Sequence, residues 1–341
     1  MLVLWRLACH QRAQLRTARP LIPNSLLEPF TRRRISPTTR KASAGVCILV
    51  AWVFYLYNSD AVPETGRRRF NMFSDGFLAR LCASDEDRLK SAMGGLVLGE
   101  RDWRSQAVKR VMARLAPLCG SDEPWHCSVV AGGDTINAAA SPGRKITIHA
   151  AMVDLCTSDD ALATVLAHEL AHHRAQHIGE RYSIAAVAAV TSSCAFFAAG
   201  AVKGLVVFSL WGLMGGYYLR HVLFELPMSR RQETEADYMG LMMMADACYD
   251  PRAAVGFWRR LDLLLDEGRE VPEMLRTHPT NENRIAKLRE WLPVAMDRRS
   301  QRGCPSLSWR GFISDGLKRH LPSAQPVPIY DVIRDIRPPH D

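Results

Sequence analysis

The pentapeptide His168-Glu169-Leu170-Ala171-His172 constrains this chain more than any other feature. It lies in a run of helix formers from Ala161 to Leu170. On a helix, positions i and i+4 lie one turn apart on one face, so both histidines can hold a single metal ion. Glu169 sits about 100° further round, beside the pair, where a carboxylate can accept a proton. Histidine nitrogens, tetrahedral geometry and an open position are what catalytic zinc uses. The ion lowers the pKa of a water, and the carboxylate takes its proton as it attacks a carbonyl. The apolar flank of Leu162, Val165 and Leu166 predicts a buried helix rather than a surface one. Such a pentapeptide also arises by chance, so a third ligand has to decide.

The best source for it is Ser229-Arg230-Arg231-Gln232-Glu233-Thr234-Glu235-Ala236-Asp237, which leads into an apolar helix from Leu241 to Ala247. Glu233 and Asp237 share a face by their spacing, while Glu235 points elsewhere. One acid can complete the ligand set and the other can support a ligand from behind. Spacing alone does not say which.

Charge distribution locates the remainder of the chain. The 341 residues carry a net charge of +9, but nine Arg/Lys against Glu28 put +8 of it in residues 1–41, leaving +1 for the rest. The basic balance therefore belongs to one segment, and a nucleic-acid partner loses its support. That segment, Arg-rich with Ser and Thr between the charges and an apolar start, has the composition of a mitochondrial targeting segment. Residues 42–58 follow, uncharged from Ala42 to Tyr57, and read as a transmembrane anchor. At about 1.5 Å per residue their reach falls slightly short of a hydrocarbon core. The basic flank at Arg32 to Lys41 places the N-terminus in the matrix and the body across the inner membrane. The nine cysteines are scattered with no C-x-x-C, so buried free thiols are the expectation and a disulfide scaffold is not.

Val62-Pro63-Glu64-Thr65-Gly66 reads as part of a linker over 59–72. Amphipathic helices are expected over 73–93 and 102–118, strands over 125–130 and 145–149, and a capping box at Thr157 and Asp160 that opens the histidine helix. Residues 184–218 form an apolar hairpin broken at Lys203-Gly204, read as dipping into the membrane, with two full spans or a soluble buried hairpin as the alternatives. A helix from Pro251 to about residue 266 and another capped by Asn281 and reaching about Leu292 complete a domain spanning 73–300. The tail, 301–341, has a short helical stretch at 313–320 and then turns Pro-rich.

With His168-Glu169-x-x-His172 followed by Glu233-x-x-Ala236-Asp237, the sequence resembles the HtpX/CAAX-protease type of gluzincin zinc metallopeptidase. Further matches are Asn137-Ala138-Ala139 with Pro142-Gly143, similar to the family's N-A-F…P-G-G segment, and Thr277-His278-Pro279 with Arg284, similar to its T-H-P…R element. Val62-Pro63-x-Thr65-Gly66-Arg67-Arg68-Arg69-Phe70-Asn71 after the anchor looks like the Oma-type branch, inner-membrane proteases whose activities overlap with the m-AAA protease. The resemblance implies one zinc ion per subunit held by His168, His172 and Glu233, with Glu169 as general base and Asp237 as supporting acid. His278 would lie close to the open position and steady the oxyanion or ligate the resting metal. Two departures, Ala139 for a frequent Phe and Arg144 where small residues are usual, touch the substrate-facing wall.

The implied fold is α+β and mainly helical, with a small antiparallel sheet whose edge strand, 145–149, holds an extended substrate by backbone hydrogen bonds. The implied protein is a zinc endopeptidase of the mitochondrial inner membrane, its catalytic domain facing the intermembrane space, acting on membrane proteins in quality control or stress-induced processing. Its partners would be those substrates and the lipid bilayer, and a homo-oligomer stays open. Three other readings stay open. A CAAX-type prenyl-protein protease of another membrane would carry several unambiguous spans and no Arg-rich presequence. An inactive scaffold or chaperone would have no need of Glu169. The last is a zinc hydrolase acting on a non-peptide amide.

Overall fold

The computed structural model describes residues 37–93, 96–120, 123–133, 135–198, 226–266 and 284–307. His278, Asn281, residues 199–218 of the expected hairpin and the 313–320 stretch lie outside them.

The chain divides into two units, Met1–Asn58 and Ser59–Asp341. In the first, helix α1 runs from Pro37 to Tyr57. Its large apolar side chains are exposed all round, from 44 % at Tyr55 and Leu56 to 88 % at Tyr57. No helix among the described residues is long and apolar enough to cross a membrane.

The second unit opens with strands β1 (Ser59–Ala61) and β2 (Arg68–Phe70), which pair antiparallel. The segment expected to be a linker is thus a folded hairpin with Val62 fully buried. Helices α2 (Asp75–Met93) and α3 (Trp103–Leu115) follow. Val108, Val111, Met112 and Leu115 form the buried stripe of α3, as their helical spacing predicts. Strands β3 (His126–Val130), β4 (Ala138–Ser141) and β5 (Lys145–His149) make one sheet in the order β3-β5-β4.

That sheet is mixed, not antiparallel: β3 runs parallel to β5 and β4 antiparallel to it. The 145–149 strand is therefore central, and the edge on the side of the histidine helix is β4. Its Ala-Ala-Ala-Ser sequence has none of the β-branched residues that mark strands. The turn joining β4 to β5 holds Gly143 at φ 80° and Arg144 at φ 58°. The second is a left-handed position that costs a side chain about 1–2 kcal/mol, which is the physical sense of a small residue being usual there.

After α4 (Ala150–Leu155) comes the central helix α5 (Asp159–Arg174), buried at every position from Ala161 to His172. Its cap is Ser158, whose hydroxyl accepts from Ala161 N–H at 3.1 Å, one residue later than the expected box. Helix α6 (His177–Ala198) continues from it. Helices α7 (Leu226–Asp246) and α8 (Arg252–Asp266) pack against α5, and α9 (Arg284–Gln301) packs against α7 and α8. Helix α9 runs nine residues beyond Leu292, through Pro293.

Behind α5 the approach of α7 is unusually close. A Cβ on Gly240 would stand 3.1 Å from the His168 nitrogen and 3.2 Å from the carbonyl carbon of Ala167. Cysteine behaves differently from expectation: Cys248 and Cys304 form a disulfide across 56 positions, joining the end of α7 to the chain after α9. Residues that far apart carry no spacing signal.

Candidate metal centre

Helix α5 presents His168 and His172 one turn apart, and α7 brings Glu233 opposite them. The two Nε2 atoms stand 3.1 Å apart. Glu233 places Oε2 at 3.3 Å from His168 Nε2 and Oε1 at 3.5 Å from His172 Nε2. All three residues are buried. Donors around a tetrahedral zinc, with bonds of about 2.0–2.2 Å, lie roughly 3.3–3.5 Å from one another. The donor types and their separations therefore fit that ion.

Electrostatics tells the same story from the protein side. Burial works to lower the pKa of both imidazoles. At His168 hydrogen bonds to the Asp237 and Glu233 carboxylates outweigh it and raise the value to about 9. At His172 burial prevails over the Glu233 carboxylate, with His168 and His177 adding to it, and the value falls well below the ordinary one. Two nitrogens this close share room for one proton, so the direction that holds is a charged and a neutral ring; a cation between them takes that proton's place.

Each histidine is also gripped from behind. His168 Nδ1 lies 3.1 Å from Asp237 Oδ1. Arg284 donates to Asp237 at 2.6 Å, and its guanidinium stacks 3.4 Å from the centroid of the Trp258 ring. Burial acts to raise the Asp237 pKa, but Arg284 and His168 outweigh it and hold the carboxyl below its usual value. On the other side His172 Nδ1 lies 2.8 Å from His177 Nδ1, and His177 Nε2 lies 3.0 Å from Glu235 Oε2.

Glu169 sits beside the histidines and its Oε2 accepts from Ala140 N–H at 2.9 Å. That bond reports how β4 faces the centre. His149 N–H donates to Asn137 C=O at 2.9 Å, so residues 137, 139 and 141 turn their peptides towards β5. Ala138 and Ala140 then turn theirs outward, by the alternation of an antiparallel pair.

The structure thus brings His168, His172 and Glu233 together, with Asp237 on His168 and Glu169 next to it in α5, held by the Ala140 N–H; His278 lies outside the described residues. Sequence reasoning missed His177, Glu235, Arg67 and Thr65, and read Glu235 as pointing away. It does point away from Glu233, but into a histidine supplied by the start of α6. The only signal available was the extra histidine five places after His172.

The sequence matches peptidase family M48 over residues 102–292. It is 36% identical to the mitochondrial metalloendopeptidase OMA1 of Schizosaccharomyces pombe over 266 residues, 78% of this chain and 76% of that one. It is 31% identical to the OMA1 metalloendopeptidase of Danio rerio, covering 77% of this chain and 57% of the relative. To the beta-barrel assembly-enhancing protease of Escherichia coli it is 30% identical, over 68% of this chain and 47% of that protein. The chain thus spans three-quarters of the yeast relative and about half of the other two. A buried His-His-Glu cluster with an adjacent glutamate stands within the matched region, and the chain belongs to peptidase family M48.

Proposed function

We propose that the chain is a zinc-dependent endopeptidase of the mitochondrial inner membrane that cleaves membrane proteins in quality control or stress-induced processing. The observation that carries this reading is the buried convergence of His168, His172 and Glu233 with Glu169 beside them, facing the outward edge of β4. His168, His172 and Glu233 would hold one zinc ion per subunit, which when bound polarises a carbonyl and acidifies a water.

The remaining work falls to the chain's own groups. Glu169 takes the proton of the attacking water and returns it to the leaving amine. The Ala140 N–H fixes its carboxylate, so only small motion separates the two roles. With their N–H groups taken by Asn137 Oδ1 and Glu169, Ala138 and Ala140 offer an extended substrate their outward carbonyls as backbone acceptors, a mode that tolerates many side chains. Asp237, clamped by Arg284, keeps the proton of His168 on Nδ1 and leaves Nε2 as the donor. His278 is proposed to steady the oxyanion.

Four observations support the location. The relatives in yeast and fish are mitochondrial by name, and residues 1–41 have the composition of a targeting segment. Helix α1 exposes apolar side chains on every side, which water disfavours and lipid accepts. The Cys248–Cys304 disulfide suits an oxidising compartment, which favours the intermembrane space over the matrix.

The test compares the purified chain with Glu169→Gln on an unfolded or loop-bearing membrane substrate, with zinc content measured on both. Zinc near one per chain in both, and cleavage lost only in the variant, is expected. Absent zinc, or cleavage that survives the substitution, refutes the proposal.

A further inference from the structure

Three acids from one stretch of α7 serve two histidines. Glu233 faces the centre, Asp237 meets His168, and Glu235, on the far side of the helix from Glu233, has no line to His172. His177 spans that gap. It is 1% exposed, and its ring touches His172 with one nitrogen and Glu235 with the other, at 2.8 and 3.0 Å.

Only one arrangement of protons satisfies this chain when His172 offers Nε2 to a metal. His172 then carries its proton on Nδ1 and donates it to His177 Nδ1. His177 accepts there, carries its own proton on Nε2, and donates to the Glu235 carboxylate. Glu235 in turn accepts from Arg67 Nε at 2.9 Å and from the Thr65 hydroxyl. Arg67 is fixed by a two-pronged pair with Glu180 at 2.7 and 2.8 Å, and Gln232 donates to Glu180 at 2.9 Å. Just past β2 the Asn71 side chain lies against the start of α6, where a Cβ on Gly179 would stand 2.6 Å from its Oδ1.

We infer that His177 is a positioning residue for the metal ligand His172, and that Arg67 and Thr65 of the β1–β2 hairpin hold it in place through Glu235. The inference rests on the zinc reading above. His168 is oriented by a carboxylate directly, and His172 by a carboxylate acting through a neutral imidazole. Ligands oriented in this way lose about 10–100-fold in metal affinity when the partner is removed. The hairpin that follows α1 in the chain therefore takes part in metal binding, from more than a hundred residues away in sequence.

Zinc affinity of the full-length protein, measured by chelator competition, tests this on His177→Leu, His177→Asn and Arg67→Met, with thermal unfolding of each metal-free form. His177→Leu is expected to bind zinc about 10–100-fold more weakly. His177→Asn, which keeps an acceptor where Nδ1 stood, recovers most of that loss, and Arg67→Met weakens binding in the same direction by less. A leucine variant that holds zinc as tightly as wild type overturns the inference. So does an asparagine variant no better than leucine when their metal-free forms unfold alike. Should His177→Leu not fold, the partly exposed Arg67 decides, and unchanged affinity in Arg67→Met is the refuting result. Wild-type protein without zinc would instead sink the functional reading, which separates the two failures.

Discussion

Adding one carbon behind His168 sets two effects of opposite sign against each other. Gly240→Ala removes a flexible residue from the interior of α7, a change worth about 1 kcal/mol in favour of the helix. Its new Cβ would stand 3.1–3.2 Å from the backbone of Ala167 and His168, where ordinary contact begins at 3.4 Å. The neighbour is helix backbone and cannot rotate aside, so α7 must retreat from α5 by about 0.3 Å, and overpacking of this kind costs about 1–3 kcal/mol. The net expectation is a loss of about 0–2 kcal/mol in urea unfolding of the metal-free protein. The strain falls on the peptide of a proposed ligand, two helical turns from Glu233, and sites of this kind tolerate about 0.5 Å. The retreat of about 0.3 Å uses more than half of that tolerance, so chelator competition should show zinc held a few-fold more weakly at most. Gly240→Val, which branches into the same space, should lose more on both counts. An alanine variant that gains stability and binds zinc as before would show that the helices have slack, and would refute the close-approach argument.

Other outcomes follow from the buried charges and the disulfide. Asp237→Asn leaves the Arg284 guanidinium short of its partner, and a broken buried pair costs about 3–5 kcal/mol; the low end is expected in urea unfolding because Glu233 stays 3.7 Å from Arg284. Burial works to raise the Asp246 pKa, but Arg298 and Arg302 outweigh it and hold the carboxyl below its ordinary 3.8. Its stabilisation is therefore complete above that value and is lost as the pH falls through the folded pKa. Asp246→Asn should flatten the acid limb of a stability–pH profile below about pH 4, and an unchanged limb refutes the assignment. Cys304→Ala releases a loop of 56 positions, which the chain-entropy account values at about 4 kcal/mol at most. Thermal unfolding with and without reductant should converge on the variant's midpoint.

What could be read from the chain beforehand was whatever repeats within one turn of helix. His168 with His172, and Glu233 with Asp237, declare themselves by four-residue spacing, and the stripe of α3 by its period. The grip on His172 could not, because Arg67, His177 and Glu235 meet only through tertiary packing, and each looks like an ordinary surface charge or a spare histidine. Strand β4 escaped for another reason: four small residues carry no period and little propensity, and only the resemblance of Asn137 to Gly143 to a family segment marked it. The resemblance implies an edge at 145–149, but that strand lies between two neighbours, and its buried Ile146 and Ile148 give the stronger strand signal for that reason. The disulfide was invisible because its halves join elements that only the finished fold brings within 5.3 Å at Cα.

The donors of the proposed metal centre are split between α5 and α7, with about sixty residues of chain between His172 and Glu233. A growing or unfolded chain that has made only α5 offers two histidines and no third partner, a grip too weak to keep an ion at ordinary free-zinc levels. The hydrolytic machinery therefore cannot arm itself halfway. On that assignment loading waits until the two helices have docked, and the arrival of the ion reports completed folding.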